Sequence, residues 1–220
     1  MKKGCGILFS FALAFILLNF LPFGCNRVEI TEDPVSELIG VESMEPMFTL
    51  LLFDMKEEGV FSKTYKHRYR VLKEKEGKVV GLDSKWYNVS SSYFQQNQNN
   101  LGMEMAAKDS TGTLARTIGP PGYTNYIGNS RYGAWKQVEG DSLADKFWQF
   151  SLENAYIKTL LQLPTGKIHQ KNHTEARSHY SRGFIYYGIV TSGGRRRYGT
   201  YSSSSTYGNK WSRGGGGYGK

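Results

Sequence analysis

Large apolar or aromatic residues alternate with polar residues over positions 60–73. A period of two residues is typical of a β-strand with one buried face. Glu76-Gly77 then forms a candidate turn before a second apolar run, so we predict an antiparallel β-hairpin over about residues 60–90. The apolar stretch 47–54 has the length of a further strand. A small antiparallel sheet is therefore expected.

A different period, close to that of a helix, runs through residues 142–163. Ser142 and Asp145 make a start that resembles a capping box, and Pro164 follows the last apolar residue. The apolar side chains on one stripe are Leu143, Phe147, Phe150, Ile157 and Leu161. We predict one main amphipathic helix over about 142–163, packed on the sheet. Sheet and helix together predict an α+β body over residues 47–190.

The segments on either side of this body have a different composition. Residues 26–46 are acidic and lack a clear period, so we predict a tether. The six amides of residues 95–100 predict a solvated loop. Residues 191–220 contain nine Gly and six Ser and no acidic or aliphatic residue. That composition predicts a disordered low-complexity tail.

Charge and cysteine usage narrow the class of protein. The net charge is +9, and residues 165–220 alone hold ten basic residues and one acid. Both cysteines, Cys5 and Cys25, precede the body, so no disulfide can form within it. These features exclude a multi-pass membrane protein, a coiled coil and a disulfide-built scaffold. They indicate a neutral body with a basic tail.

The N-terminus has the pattern of an export signal. Lys2 and Lys3 precede an uncharged apolar run over residues 4–25. The stretch Leu21-Pro22-Phe23-Gly24-Cys25 resembles the signal of bacterial membrane lipoproteins. That resemblance implies cleavage after Gly24, with the lipid on Cys25 at the mature N-terminus, so residues 1–25 are expected to be signal peptide and lipidation site.

Two alternatives stay open at the N-terminus: an uncleaved membrane anchor, because about 20 apolar residues span a bilayer, and a soluble secreted product. The two lysines favour an N-terminus that stays inside. We therefore expect a cell-envelope protein that is membrane-anchored with its body on the exported side, at either the inner or the outer membrane.

The tail combines cations and aromatic rings that suit anionic partners. The candidate anion-binding residues are Arg195, Arg196, Arg197, Arg213, Tyr198, Tyr207, Trp211 and Tyr218. Guanidinium groups bind phosphate bidentately and rings supply stacking faces. The composition resembles RNA-binding Arg-Gly-Gly tails, but an exported protein does not meet RNA, so no nucleic acid is expected. The expected partner is an anionic envelope polymer or lipid headgroups; a solubilising tail without a partner is the alternative.

The C-terminal residues 212–220 also resemble the ends of uncharacterised exported bacterial proteins with Arg-Gly-Gly-rich C-termini. Some of those are associated with peptide-ligase-like enzymes. The resemblance implies a further possibility, in which a peptide-ligase-like modifying enzyme uses the tail as its substrate.

Three histidines make the one candidate metal site. His169 and His173 are four residues apart, with Glu175 and His179 nearby. No zinc-protease motif, nucleophile elbow or phosphate-binding loop accompanies them. We therefore expect a non-catalytic envelope lipoprotein without a cofactor. The alternative is an envelope enzyme or metal-binding protein that uses this histidine segment.

Overall fold

The computed structural model describes residues 29–60, 62–137 and 145–202. The strands are β1 (Phe48–Glu58), β2 (Thr64–Lys75), β3 (Lys78–Val89), β4 (Glu104–Lys108), β5 (Leu114–Ala115), β6 (Gly133–Gln137) and β7 (Lys146–Phe150). The helices are α1 (Pro34–Val41), α2 (Ser91–Gln96), α3 (Ile157–Leu160) and α4 (Gln170–Ser181), with a 3₁₀ turn at Leu152–Asn154. An antiparallel five-stranded sheet has the order β3-β2-β1-β4-β5, and β6 pairs with β7.

The predicted hairpin is confirmed, with β2 and β3 in antiparallel register from Tyr65 opposite Val89 to Lys75 opposite Lys78. Its turn residues Glu76 and Gly77 have φ angles of 53° and 78°. Two positive φ values in a two-residue turn match the right-handed twist of the strands that they join. An α+β fold with a small antiparallel sheet is therefore what this chain forms.

The central strand β1 is buried on both faces of the sheet. Phe48, Leu50 and Leu52 join one apolar cluster, whereas Leu51 joins another on the opposite face. This explains why residues 47–54 read as a continuous apolar run instead of an alternating one. Both faces need a cover, because each buried side chain of this size contributes about 1.5–3 kcal/mol.

Helices α1 and α2 contribute to the cluster on one face, which corrects the prediction that residues 26–46 are only a tether. Asp33 caps α1 by accepting a hydrogen bond from the Ser36 amide at 3.0 Å, and Val35 and Leu38 are buried in the cluster. Three of the acidic residues that suggested a solvated segment, Glu37, Glu42 and Glu45, instead form ion pairs with lysines of the sheet. Lys73 of β2, for example, lies 2.7 Å from Glu42.

The opposite face of the sheet is covered mainly by residues after 119. In this part of the chain, the prediction of a single helix over residues 142–163 is wrong. Residues 146–150 form β7, which pairs with β6 so that Trp148 lies opposite Trp135. Aromatic residues favour a pleated strand, and among the described residues of the predicted span only the four-residue α3 is α-helical. Ile157 and Leu161 are nevertheless fully buried, as the apolar stripe predicted. Residues 141–144 lie outside the described part of the chain.

The prediction that the tail begins at residue 191 is also corrected, because residues 197–202 pack on the body. Tyr198 is 5% exposed, and its hydroxyl lies 2.6 Å from that of Tyr123. The Thr200 amide donates to the Asn99 carbonyl at 3.1 Å. One buried aromatic ring thus anchors a segment whose composition indicated disorder. Residues 203–220 lie outside the described part.

The amide run 95–100, which was predicted to be a solvated loop, contacts residues 197–202 and is partly buried. Asn97 and Asn100 are buried. The Asn100 side-chain oxygen accepts a hydrogen bond from the Tyr187 hydroxyl at 2.7 Å. Because these amides bind the returning chain, they hold the C-terminal part of the body against the sheet.

We predict that Tyr198→Ala destabilises the protein by about 3–5 kcal/mol, since truncating a buried aromatic side chain leaves a cavity. Tyr198→Phe keeps the ring and should cost about 1 kcal/mol for the lost hydrogen bond. Denaturant unfolding of the full chain measures both. The matched control is Tyr201→Ala, at a position 57% exposed, which should change stability by less than about 0.5 kcal/mol. Equal effects at the two positions would show that residues 197–202 do not belong to the core.

Candidate anion-binding site

A cavity of about 550 Å³ opens where β2, the residues around α3 and the segment 197–202 meet. We call it the basic pocket. Its charged lining residues are Arg70, Lys158 and Arg197. Its hydroxyl-bearing lining residues other than tyrosine are Thr159, Thr165 and Ser202. No aspartate or glutamate is among the described residues that line it.

Arg70 is held firmly in the pocket wall by β3. Its Nε and Nη2 atoms donate to the two carboxylate oxygens of Asp83 at 2.6 and 3.1 Å. Its guanidinium also lies 3.6 Å from the centre of the Phe53 ring, and its Nη1 reaches the Leu160 carbonyl at 3.5 Å. Arg70 therefore connects the sheet with α3. Its guanidinium group is held in one orientation, and Asp83 neutralises part of its charge.

Arg197 enters from the opposite side, on the segment that Tyr198 anchors. Its Nη2 donates to the Lys167 carbonyl at 2.8 Å. Its Nε is buried and has no hydrogen-bond partner in the described part of the chain. A buried donor without a partner costs about 1–3 kcal/mol, and a bound anion would remove that cost. Lys158 is exposed at the mouth and makes no ion pair with any described residue.

Backbone geometry next to Arg197 depends on glycine. Gly199 has φ +87°, and a Cβ there would lie 2.5 Å from the Asn99 carbonyl oxygen. This close approach lets the segment lie against the 97–102 turn, which supplies Leu101 and Gly102 to the pocket wall. The pocket therefore depends on a contact between parts of the chain about a hundred residues apart.

A buried carboxyl supports another wall of the pocket. Pro121 lines the cavity, and the turn that carries it is held by Glu104, which accepts hydrogen bonds from the Gly122 amide at 3.2 Å and from the Thr124 hydroxyl. Burial raises the pKa of Glu104 to about 7. The carboxyl is therefore half-protonated near neutral pH.

A second cavity, of about 620 Å³, is less suited to one kind of ligand. This cavity is lined by two basic residues, Lys78 and Arg131, and also by the acidic residue Glu153. Arg131 is moreover paired with Glu74 at 2.7 Å. Mixed charge in the wall favours neither an anion nor a cation, so the basic pocket is the stronger candidate site.

The structure separates the residues that were predicted to bind anions together. Arg197 and Tyr198 line the pocket, whereas Arg195 and Arg196 are exposed outside it. Tyr198 is also a core residue, only 5% exposed. Tyr198 therefore contributes to the pocket wall while most of its side chain packs in the core. Arg213, Tyr207, Trp211, Tyr218 and Cys25 lie outside the described residues.

Sequence reasoning missed Arg70 and Lys158. Arg70 read as a polar residue on the outer face of a strand, and Lys158 as an ordinary charge within the predicted helix. No local motif links them to Arg197, because only folding brings the three segments together. The one available signal was the concentration of positive charge near Arg197 itself.

The three histidines do not form a metal centre. They lie on or before α4, a helix that the sequence did not predict. His169 precedes the helix and binds Asp145 at 2.8 Å. His173 lies between the rings of Tyr123 and Trp135, and burial lowers its pKa.

His179 packs on Tyr186, with ring centres 5.2 Å apart. Within the described residues no group of three or more His, Cys, Asp or Glu side chains could hold a metal ion. The structure therefore leaves the predicted metal candidates in separate surroundings.

Among the described helices, none is long and apolar enough to cross a bilayer; the apolar run 4–25 lies outside them. Comparison with protein families, curated proteins and solved structures found no match.

A buried histidine, His67, makes the stability depend on pH in the opposite direction to Glu104. His67 is fully buried among aromatic rings, and burial lowers its pKa to about 3. In the unfolded chain His67 has the ordinary histidine pKa of 6.5, so it binds a proton below that pH. The folded state does not bind this proton until the pH falls to about 3. Stability from this group is present above pH 6.5 and is lost as the pH falls towards 3. Glu104 has the opposite sign, because its folded pKa is above the ordinary value of 4.5.

We predict that the free energy of unfolding of wild type, minus that of Glu104→Gln, falls by on the order of 3 kcal/mol as the pH rises from 4.5 to 7. Below pH 4.5 the carboxyl is protonated in both states, so the difference is then constant. The difference between wild type and His67→Leu should instead rise between pH 3 and 6.5. Urea unfolding of the full chain at stepped pH measures both. Differences that do not vary with pH would contradict these assignments.

Proposed function

We propose that this chain is a non-catalytic binding protein of the cell envelope, held at a membrane through Cys25, which binds a phosphate- or carboxylate-bearing envelope ligand in the basic pocket. One observation carries the proposal. Arg70, Lys158 and Arg197 line a single cavity that no acidic residue of the described chain lines. Their convergence favours an anion over a neutral or cationic ligand.

The ligand chemistry follows from the donors in the wall. Guanidinium and ammonium groups form charge-assisted hydrogen bonds with phosphate and carboxylate oxygens. Hydroxyls of Thr159, Thr165 and Ser202 add neutral donors in the same wall. A cavity of about 550 Å³ has the size of a small-molecule site. It therefore suits a single charged group on an envelope polymer, with the rest of the polymer outside.

Binding is favoured over catalysis by what the wall contains. Among its described residues there is no carboxylate, imidazole or thiol to act as a general base or a strong nucleophile. The polar lining residues can hold and orientate an anion. The geometry supports capture of a ligand, and the segment 197–202 closes one side of the site.

We predict that inorganic phosphate raises the thermal unfolding midpoint of the full chain in a saturable way, as a ligand of the native state does. Arg197→Gln and Lys158→Gln should each weaken this binding by about tenfold or more, because each removes a charge-assisted contact. Midpoints are measured against phosphate concentration, with chloride at equal ionic strength as the reference.

The matched control for this titration is Arg195→Gln. It removes the same charge two residues away but outside the pocket wall, so its phosphate affinity should equal that of wild type. If Arg195→Gln weakens binding as much as Arg197→Gln, the stabilisation comes from net charge and the pocket is not the site.

The anchor has its own test. If Cys25 carries the lipid, Cys25→Ser should release the protein from membranes or stall its processing in the native host, because no other cysteine follows it. Membrane fractionation with intact mass measurement checks this. A variant that stays membrane-bound at full length, with the same mass as wild type apart from the substitution, would identify residues 4–25 as an uncleaved anchor.

A further inference from the structure

An exposed loop adjoins the basic pocket: its last residues, Arg197 and Tyr198, line the pocket wall, and its remaining residues do not. Residues 187–198, which we call the arginine loop, leave the body at Tyr187 and return at Tyr198, whose amide donates to the Tyr187 carbonyl at 2.9 Å. Within the loop, Val190 bridges to Arg196, and the Thr191 amide donates to the Arg195 carbonyl at 2.8 Å. The loop is therefore an ordered projection from the surface.

The chain that enters this loop exposes large apolar side chains to water. Val190 is 65% exposed and Phe184 is 59% exposed, and Ile185 and Ile189 are exposed with them. These are four of seven consecutive residues. Clustered aliphatic and aromatic side chains on a surface mark an interaction site more often than single exposed ones do.

Cations surround the same apolar residues. Arg195 and Arg196 are exposed on the returning side of the loop, and the Arg182 guanidinium lies 5.8 Å from the centre of the Phe184 ring. The arginines that form ion pairs among the described residues are Arg68, Arg70, Arg116 and Arg131. Arg182, Arg195 and Arg196 thus make no ion pair with a described residue and are available to an external anion.

No acidic residue follows Glu175 in the sequence, and Glu175 itself accepts a hydrogen bond from the Tyr186 hydroxyl at 2.9 Å. The surface therefore combines exposed apolar groups with unneutralised positive charge. A soluble anionic polymer would use the charges but leave the aliphatic side chains in water. An anionic bilayer satisfies both, because apolar side chains enter the acyl boundary while cations stay at the phosphate headgroups.

We propose that the arginine loop docks on an anionic lipid surface, with Ile189 and Val190 at the acyl boundary and Arg195 and Arg196 at the headgroups. This docking does not use the basic pocket. It needs only that a bilayer lies near the body, as the proposed anchoring at Cys25 would provide. A lipid anchor and a basic apolar surface are two signals that together strengthen membrane attachment.

The test is hydrogen exchange on the full chain reconstituted in nanodiscs, with phosphatidylglycerol and phosphatidylcholine or with phosphatidylcholine alone. We expect amides of residues 184–197 to exchange at least fivefold more slowly in the anionic discs. The internal reference is the stretch 150–156, which carries Leu152, 96% exposed, and whose exchange should be the same in both discs.

Two double variants separate the contributions of charge and apolar contact. Arg195→Gln with Arg196→Gln should remove the difference between the discs, and Ile189→Ser with Val190→Ser should remove most of the protection. Leu152→Ser is the matched control and should change neither. Unchanged protection in the arginine variant, or equal protection of residues 150–156, would overturn the proposal.

Two further measurements keep this proposal distinct from the pocket. Arg197→Gln, which should weaken phosphate binding, should leave the arginine-loop protection intact. A soluble sulfated polysaccharide in place of the discs should protect the loop weakly. If it protects wild type and the Ile189→Ser, Val190→Ser variant as strongly as anionic discs protect wild type, the surface binds polyanions and the bilayer proposal is wrong.

Discussion

Strand β1 must be shielded from water on both faces, and the rest of the fold follows from that requirement. Leu51 points to one cluster, and its neighbours Leu50 and Leu52 point to the other, all almost fully buried. Helices α1 and α2 help to cover the first face. On the second face, buried residues of α3, α4, β7 and the 119–127 turn form one cluster, with Trp135 of β6 packed against it. The chain therefore returns to the sheet as late as Tyr198.

The basic pocket follows from this late return. Tyr198 brings residues 197–202 against the 97–102 turn, and the neighbouring arginine comes to the edge of the body near Arg70 and Lys158. Cations remain at this edge because burying a guanidinium without a partner costs more than the contact returns. An aromatic anchor that stabilises the core therefore also places a charge in the pocket wall.

Charge is used differently at the two ends of the described chain. Several acids near the N-terminal end are paired with the body: Asp33 with Arg116, Glu37 with Lys85, and Glu42 with Lys73. The chain after Glu175 has no acids, and its exposed arginines have no such partners among the described residues. This asymmetry makes one side of the molecule suited to anions. The pocket, proposed to bind a single charged group, and the arginine loop, proposed to dock on a lipid surface, both include residues of this part of the chain.

The elements that the sequence predicted correctly are those whose signals are local. The alternation in β2, the Glu76-Gly77 turn and the apolar run of β1 each reflect neighbours within a few residues, and each formed as expected. Their physics is short-ranged: turn dihedrals, strand pleat and side-chain period need no distant partner. The α+β class with a small antiparallel sheet followed from these signals.

The remaining elements depend on distant partners, and for that reason the sequence alone did not reveal them. Residues 146–150 fit a helical stripe but became β7 because β6 offered a strand to pair with. The 26–46 segment and the start of the tail were both predicted to be solvated. Instead, the 26–46 segment forms an ion pair with Lys73 of the sheet, and the start of the tail forms a hydrogen bond with the 97–102 turn. The same holds for the basic pocket. Sequence alone determined that cations concentrate near the C-terminus, but only tertiary structure joined Arg197 with Arg70 and Lys158, because burial of Tyr198 brings those segments together.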